Sequence, residues 1–168
     1  AVVEYYRNVG SKTAPVYERF LSTDCSNNPF CTVDPGFHGT LAFGDVDGDG
    51  DLDLVMGEDW GTAARLEGFG GGLVHYIENQ GSPMAPNYQQ VLGPGNPFDG
   101  IHVGQKSAAA LGDFNGDGKL DLVVGEADGI LNYYTMNFGT ASHATPSLQK
   151  AVGTASPLDG FDAGSRGT

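Results

Sequence analysis

Apolar residues in this chain occur in short runs, and many of these runs lie next to Gly, Asn, Asp or Pro. The runs Leu52–Met56 and Leu120–Val124 first alternate with aspartate and are then continuously apolar. This pattern is typical of β-strands that are buried on most of their surface. Amphipathic helical periodicity is nearly absent, and the one run of good helix formers, Ala108–Leu111, ends in a Gly-Asp turn. The pattern therefore predicts an all-β fold.

Internal repetition arranges these strands in units. Tyr5–Ser11 matches Tyr76–Ser82, and Tyr134–Thr140 is a weaker third copy. We interpret Arg65–Gly72 and the cysteine-containing segment as insertions. We predict four strands in each of two full units. The first two strands of the chain are predicted to be the third and fourth strands of a preceding, incomplete unit. The predicted strands are 2–7, 16–21, 41–44, 52–57, 73–78, 88–91, 108–112, 120–125, 130–134 and 148–152.

Four antiparallel strands at intervals of roughly 60 residues are typical of β-propeller blades. We interpret residues 1–168 as one repeat region. Residues 1–40 form a half blade and a cysteine-containing connection, 41–107 form a full blade, and 108–168 form a second full blade with the lead-in to another. A closed propeller needs roughly 4–8 blades, and this chain has about two and a half. We therefore expect a partial propeller or a fragment of a larger one, unless partner chains cover its open edges.

Each full blade contains an acidic, glycine-rich loop that runs directly into an apolar strand, within Asp45–Glu58 and Asp113–Glu126. Residues with side-chain oxygens occupy loop positions 1, 3, 5 and 9, and glycines occupy positions 4 and 6. Oxygens that curl around a centre in this way suit a hard cation such as calcium. The sequence therefore predicts two Ca2+ sites.

Two other interpretations of the loops are weaker. An EF-hand has a bidentate Glu at position 12, but here that position is Met56 or Val124 and no flanking helices are predicted. Solvated Asp-Gly turns without metal remain an alternative. They are disfavoured because carboxylates packed this closely repel one another.

The charge of the chain narrows the choice of partners. The sequence has 21 acidic and 8 basic residues, for a net charge of −13. This balance argues against nucleic acid, since phosphate binding needs clustered Lys and Arg. Many of the acidic residues lie in the two loops, where bound divalent cations would offset the strongest repulsion.

Cys25 and Cys31 are six positions apart, and we favour a local disulfide, which implies an oxidising compartment. Free thiols in a cytosolic protein are the alternative, and a zinc site lacks further ligands. No apolar stretch approaches the roughly 20 residues of a membrane helix. The chain begins without Met and without a signal peptide, so we expect a processed or partial product.

The segment Phe43–Leu54 resembles the FG-GAP/VCBS repeat family, and Leu111–Leu122 shows the same pattern. The resemblance implies an integrin-α-like propeller in which the calcium loop joins the first and second strands of a blade. It also implies that the backbone carbonyls of Asp51 and Lys119 supply one oxygen to each site. Asn115 departs from the family pattern by replacing a carboxylate, so the second site has one negative charge less and we expect it to bind calcium more weakly. The implied side-chain ligands are Asp45, Asp47, Asp49 and Asp53, then Asp113, Asn115, Asp117 and Asp121.

Other candidate chemistry is weaker. Glu58 and Glu126 follow the second strands and could act as an acid–base pair, but exposed strand-end residues are the favoured interpretation. The four histidines have no ligand spacing, and no catalytic Cys-His pairing or phosphate-binding loop is present, so we predict no enzymatic activity. Third-strand tyrosines are expected to fill space between blades. Trp60 is the best single candidate for a contact residue.

These observations predict a secreted or lumenal, calcium-stabilised propeller module that does not span a membrane. We expect a non-catalytic role in protein interaction or adhesion, or as an extrinsic subunit of a larger assembly. The alternatives are a lectin-like glycan-binding module that uses Trp60, and the propeller domain of a secreted polysaccharide-acting enzyme.

Overall fold

The computed structural model describes residues 3–34, 39–58, 72–137, 145–159, 161 and 164. Two short 3-10 turns, Gly93–Gly95 and Gly153–Ala155, follow the fourth strand of each full unit. The strands in the described part of the chain are β1 (Tyr5–Asn8), β2 (Tyr17–Phe20), β3 (Thr40–Gly44), β4 (Asp53–Gly57), β5 (Val74–Asn79), β6 (Tyr88–Val91), β7 (Ala108–Gly112), β8 (Asp121–Gly125), β9 (Leu131–Asn137) and β10 (Ser147–Ala151).

The strands form antiparallel sheets in chain order. The first four-stranded sheet has the order β3-β4-β5-β6, the second has the order β7-β8-β9-β10, and β1 pairs with β2 alone. This confirms the all-β prediction, the four-stranded units and the half unit before them. The architecture is that of a partial β-propeller, and no helix in the described residues is long and apolar enough to cross a membrane.

The main hydrophobic core lies between the two four-stranded sheets. Val55 and Tyr76 from the first sheet pack with Leu122 and Val124 from the second. The first strands of the two sheets, β3 and β7, lie side by side. A Cβ at Gly44 would lie 2.8 Å from Leu111 Cδ1, so the absence of a side chain there allows the sheets to approach. Stacked sheets with adjacent first strands are the arrangement expected of neighbouring blades.

The cysteine-containing segment supplies a second core, on the other side of the first sheet. Cys25 and Cys31 form a disulfide with a Cα–Cα distance of 5.2 Å, which confirms the favoured pairing. Phe30, inside this disulfide loop, stacks on Tyr88 with ring centroids 4.7 Å apart. The segment predicted to be an insertion therefore also covers part of the first sheet, together with Val33.

The predicted alignment of the third repeat copy is wrong by one residue. Strand register places Tyr76 opposite Val55 in the first sheet and Tyr133 opposite Val123 in the second, so the counterpart of Tyr76 is Tyr133, not Tyr134. The difference arises because the β9–β10 hairpin is one pair longer, ending at Asn137 opposite Ser147. The sequence alignment matched Asn137 to Asn79 and counted back from there, so it did not reveal this extra residue.

Several residues singled out from the sequence lie outside the described residues, and their predicted roles stay predictions. They are Trp60, His38, His143, Asp59 and nearly all of the insertion 65–72.

Candidate metal centre

The two acidic loops occupy equivalent places in the two four-stranded sheets. The first loop joins β3 to β4, and the second joins β7 to β8. Both contain two glycines with positive φ, 78° at Gly48 and 96° at Gly50 in the first loop. Such angles are readily available only to glycine, so these residues allow the backbone to curl back towards the first aspartate.

The first aspartate of each loop organises this curl. Asp45 accepts hydrogen bonds from the Gly48 amide, at 2.8 Å to Oδ1, and from the Gly50 amide, at 3.1 Å to Oδ2. In the second loop, Asp113 accepts equivalent hydrogen bonds from the Gly116 amide, at 2.7 Å to Oδ1, and from the Gly118 amide, at 2.9 Å to Oδ2. Both loops therefore fold in the same way, as the repeated sequence predicts.

Three carboxylates meet in the first loop. Asp45, Asp47 and Asp49 each offer one oxygen, and these oxygens all lie within 4.8 Å of one another. Oxygens bound at about 2.4 Å to one calcium ion can be at most about 4.8 Å apart. The spacing of these three predicted ligands therefore fits a shared calcium ion.

Asp51 is buried beside this cluster, with only 4 % of its surface exposed. Burial raises the pKa of its carboxyl group, as does the charge of Asp49, while a hydrogen bond with the Asn79 side chain acts in the opposite direction. Oδ1 of Asp51 is buried and has no hydrogen-bond partner in the structure. An unsatisfied buried acceptor typically costs about 1–3 kcal/mol, so the loop holds an oxygen that a cation could satisfy. From the sequence, only the carbonyl of Asp51 was assigned a role.

Asp53, the predicted ligand at position 9, lies outside the three-carboxylate group. Its Oδ2 accepts hydrogen bonds from the Val46 amide at 2.9 Å and the Tyr76 hydroxyl at 3.2 Å, and its Oδ1 accepts one from the Asn79 amide at 2.9 Å. Burial, then the charge of Asp47, raises the pKa of Asp53 to about 6. In the structure, this carboxylate ties the loop to the third strand, and its role as a ligand stays a prediction.

The second sheet repeats this link. Asp121 Oδ2 accepts hydrogen bonds from the Tyr133 hydroxyl at 2.8 Å and the Phe114 amide at 3.1 Å. Burial, then the hydrogen bond with Asp121, raises the pKa of Tyr133 to about 12. The tyrosines expected only to fill space therefore also anchor the loops. The signal in the sequence was an Asp at loop position 9 that is followed, in both units, by a Tyr on the third strand.

The second loop differs from the first in charge and in burial. Asn115 replaces the carboxylate at position 3, and the loop is exposed from Asp113 to Lys119. Asn115 and Asp117 accept hydrogen bonds from the amides two residues further on, at 2.8 Å and 2.9 Å. The predicted ligands Asp113, Asn115, Asp117 and Asp121 thus lie in a folded loop with fewer carboxylates than the first.

Glu58, expected to be an exposed strand-end residue, is instead buried, with 4 % of its surface exposed. Its Oε2 lies 3.3 Å from Nε2 of His75 on the neighbouring strand, and its amide donates to the Ser107 hydroxyl at 2.8 Å. The expectation was wrong because the segment leading into β7 packs over this strand end. Glu126, its counterpart, accepts a hydrogen bond from Asn132 at 3.2 Å.

Comparison with models of known protein families supports the repeat that the sequence and the two four-stranded sheets show. The sequence model of the FG-GAP repeat family matches residues 39–77 and 107–135. Each match covers the first strand, the acidic loop, the second strand and most of the third strand of one four-stranded sheet. Comparisons with curated proteins and with solved structures give no match. Two segments of the chain, one in each four-stranded unit, are therefore similar to FG-GAP repeats, which supports assignment to the FG-GAP repeat family.

Proposed function

We propose that this protein is a calcium-binding, non-catalytic propeller module that interacts with another protein. The observation that carries the calcium proposal is the group of carboxylate oxygens from Asp45, Asp47 and Asp49, all within 4.8 Å of one another. The buried, unpartnered oxygen of Asp51 supports the same conclusion. The proposed ligands also include Asp53 in the first loop, and Asp113, Asn115, Asp117, Asp121 and the Lys119 carbonyl in the second.

The proposed role of calcium is structural. Each loop connects the first and second strands of a sheet, and its last aspartate is hydrogen-bonded to the third strand. A cation held between the loop carboxylates would neutralise charges that otherwise repel and would fix the strand connection. Occupancy of the metal site would thereby be coupled to the stability of the whole sheet.

The interaction role rests on the family and on the fold. FG-GAP repeats commonly serve in protein interaction and adhesion and are typically non-catalytic, and the described sheets offer many short exposed loops. The disulfide between Cys25 and Cys31 supports an extracellular or other oxidising compartment. We propose a protein partner or a larger assembly on this basis.

Calcium titration by isothermal calorimetry tests the proposal. Metal-free protein should bind two Ca2+ ions, with the first loop tighter than the second because it has more carboxylates. Asp47→Asn should weaken one event at least tenfold, and Asn115→Asp should strengthen the other several-fold.

The control for this titration is Asp99→Asn, which removes an exposed carboxylate outside both loops and should leave both events unchanged. The absence of calcium binding by the wild-type chain, or equal binding by Asp47→Asn, would refute the site.

A further inference from the structure

A buried pair of a glutamate and a histidine lies in the first four-stranded sheet, at the end of β4 that is farther from the acidic loop. Glu58 directly follows β4, and His75 lies on the neighbouring strand β5, opposite Met56. The side chains of Glu58 and His75 are 5 % and 16 % exposed, and Glu58 Oε2 lies 3.3 Å from His75 Nε2. Carboxylate oxygen and imidazole nitrogen are both common ligands of Zn2+.

Two atoms of this pair have no hydrogen-bond partner. Glu58 Oε1 and His75 Nε2 are both buried, and neither takes part in a hydrogen bond in the structure. The two side chains are therefore close to each other without a hydrogen bond through Nε2. Buried polar atoms without a partner are uncommon in native proteins. An ion pair between the two residues would leave Oε1 unsatisfied, whereas a metal ion bound to the carboxylate and to Nε2 would satisfy both atoms.

The spacing of the two side chains fits a shared zinc ion. Zn2+ binds carboxylate oxygen at about 2.0–2.2 Å and imidazole nitrogen at about 2.0–2.1 Å, so two such ligands in tetrahedral geometry are about 3.3–3.5 Å apart. The observed distance between Oε2 and Nε2 is 3.3 Å. The other ring nitrogen of His75, Nδ1, lies 3.2 Å from the side-chain amide of Gln90. A partner of this kind orients the ring of a zinc-binding histidine.

The second sheet lacks the histidine. Strand register places Met56 opposite His75 in the first sheet and Val124 opposite Asn132 in the second, so Asn132 is the counterpart of His75. Its side-chain amide donates a hydrogen bond to Glu126 Oε1 at 3.2 Å. The equivalent glutamate is therefore satisfied by the protein itself. The unpartnered atoms occur in the unit in which histidine takes the place of asparagine.

A small cavity next to the pair has room for a metal-bound water molecule. Its volume is about 20 Å³, and its lining includes Met56 and Gln90, which are both direct neighbours of His75. A water molecule needs roughly 10–15 Å³ of such space. In the described part of the chain, the one set of three potential metal-binding side chains that lie close together is in the first acidic loop. Water must therefore complete the coordination of an ion held by Glu58 and His75.

We propose that Glu58 and His75 bind a Zn2+ ion, with water completing its coordination. Glu58 supplies its carboxylate, His75 supplies Nε2, and Gln90 orients the ring through Nδ1. The ion joins the end of β4 to β5, at the opposite end of β4 from the acidic loop. This site is separate from the proposed calcium sites and does not depend on them.

Titration of the full chain with zinc chloride by isothermal calorimetry tests the proposal. Excess calcium is present throughout, so that calcium competes with zinc for the acidic loops. The wild-type chain should show a zinc-binding event, and Glu58→Gln and His75→Asn should each abolish it, because each removes one ligand. His102→Asn, which removes an exposed histidine outside the pair, is the control and should leave the event unchanged.

Circular dichroism confirms that each variant in this titration is folded. The absence of a zinc-binding event in the wild-type chain overturns the proposal. An event that Glu58→Gln or His75→Asn retains at wild-type affinity also overturns it, because zinc would then be bound elsewhere.

A gain of binding in the second sheet provides an independent test. Asn132→His places an imidazole beside Glu126, at the position equivalent to that of His75. This variant should show a second zinc-binding event, with circular dichroism confirming its fold. Asn132→Gln keeps an amide at this position and should show no second event. No second event in a folded Asn132→His variant, or a second event in Asn132→Gln, would contradict the assignment of the site to a glutamate–histidine pair.

Discussion

At the scale of single residues, aspartates in the same loop have different roles. Asp45 shapes the backbone curl, while Asp47 and Asp49 join it in the oxygen cluster. Asp53 is held by three protein donors and binds the loop to the third strand. The spacing of the aspartates predicted the loop, but not this division, because the roles of Asp51 and Asp53 depend on burial by strands distant in sequence.

The link between Tyr76 and Asp53 provides a stability prediction. Tyr76→Phe removes the hydroxyl that donates to a buried carboxylate and leaves the ring in place. Loss of a hydrogen bond to a charged group should lower the free energy of unfolding by about 1.5–3 kcal/mol. Urea denaturation measures the change, with the exposed Tyr17→Phe as the control, expected within about 0.5 kcal/mol of wild type. Equal stability of the two variants would show that this hydrogen bond contributes nothing net.

At the scale of elements, the contact between the two four-stranded sheets depends on close backbone approach. Gly57 ends β4, and Ser107, just before β7, lies directly against it. The Ser107 hydroxyl accepts from the Glu58 amide and donates to the carbonyl of Glu58 or of Leu73, both at 3.0 Å. The hydrogen bonds of Ser107 therefore join the segment before β7, in the second sheet, to the end of β4 in the first sheet.

A matched pair of glycine variants tests this contact. A Cβ at Gly57 would clash with the backbone carbonyl of Ser107 and would lie 2.8 Å from the oxygen of the Ser107 hydroxyl. Gly57→Ala should therefore cost about 1–3 kcal/mol, as overpacking against a rigid neighbour does. Gly125→Ala, at the equivalent end of β8, meets only a leucine methyl at 3.3 Å and should cost less than about 1 kcal/mol. Chemical denaturation of both variants measures the difference. A similar loss in the free energy of unfolding for the two variants would contradict a close contact between Gly57 and Ser107.

The strands themselves were predictable, because alternation and turn residues are local signals. β3 and β4 begin and end within one residue of their predicted limits. The extra residue in β9 and the burial of Glu58 were not predictable, since both depend on pairing and packing with elements distant in sequence. The residues of the three-carboxylate group were predicted as candidate ligands, but their mutual distances required the folded loop.

At the scale of the whole molecule, the first four-stranded sheet has a hydrophobic core on each of its two faces. The cluster around Val55 and Leu122 connects the first sheet to the second, and the cluster around Leu54 and Tyr88 connects it to the disulfide loop. The loop between β3 and β4 belongs to this central sheet. A change in that loop should therefore affect the stability of the whole chain.

Calcium removal should accordingly lower the melting temperature of the whole protein. A ligand at one hundred times its dissociation constant stabilises the native state by about 2.7 kcal/mol per site. For a chain of this size, about 1 kcal/mol shifts the melting temperature by about 2–4 °C, so filling one site should raise it by about 5–10 °C. Scanning calorimetry in excess calcium and in excess chelator measures the shift. Asp49→Asn should reduce it and Asp99→Asn should not, whereas an unchanged curve after verified calcium removal would show that the loops do not couple metal to folding.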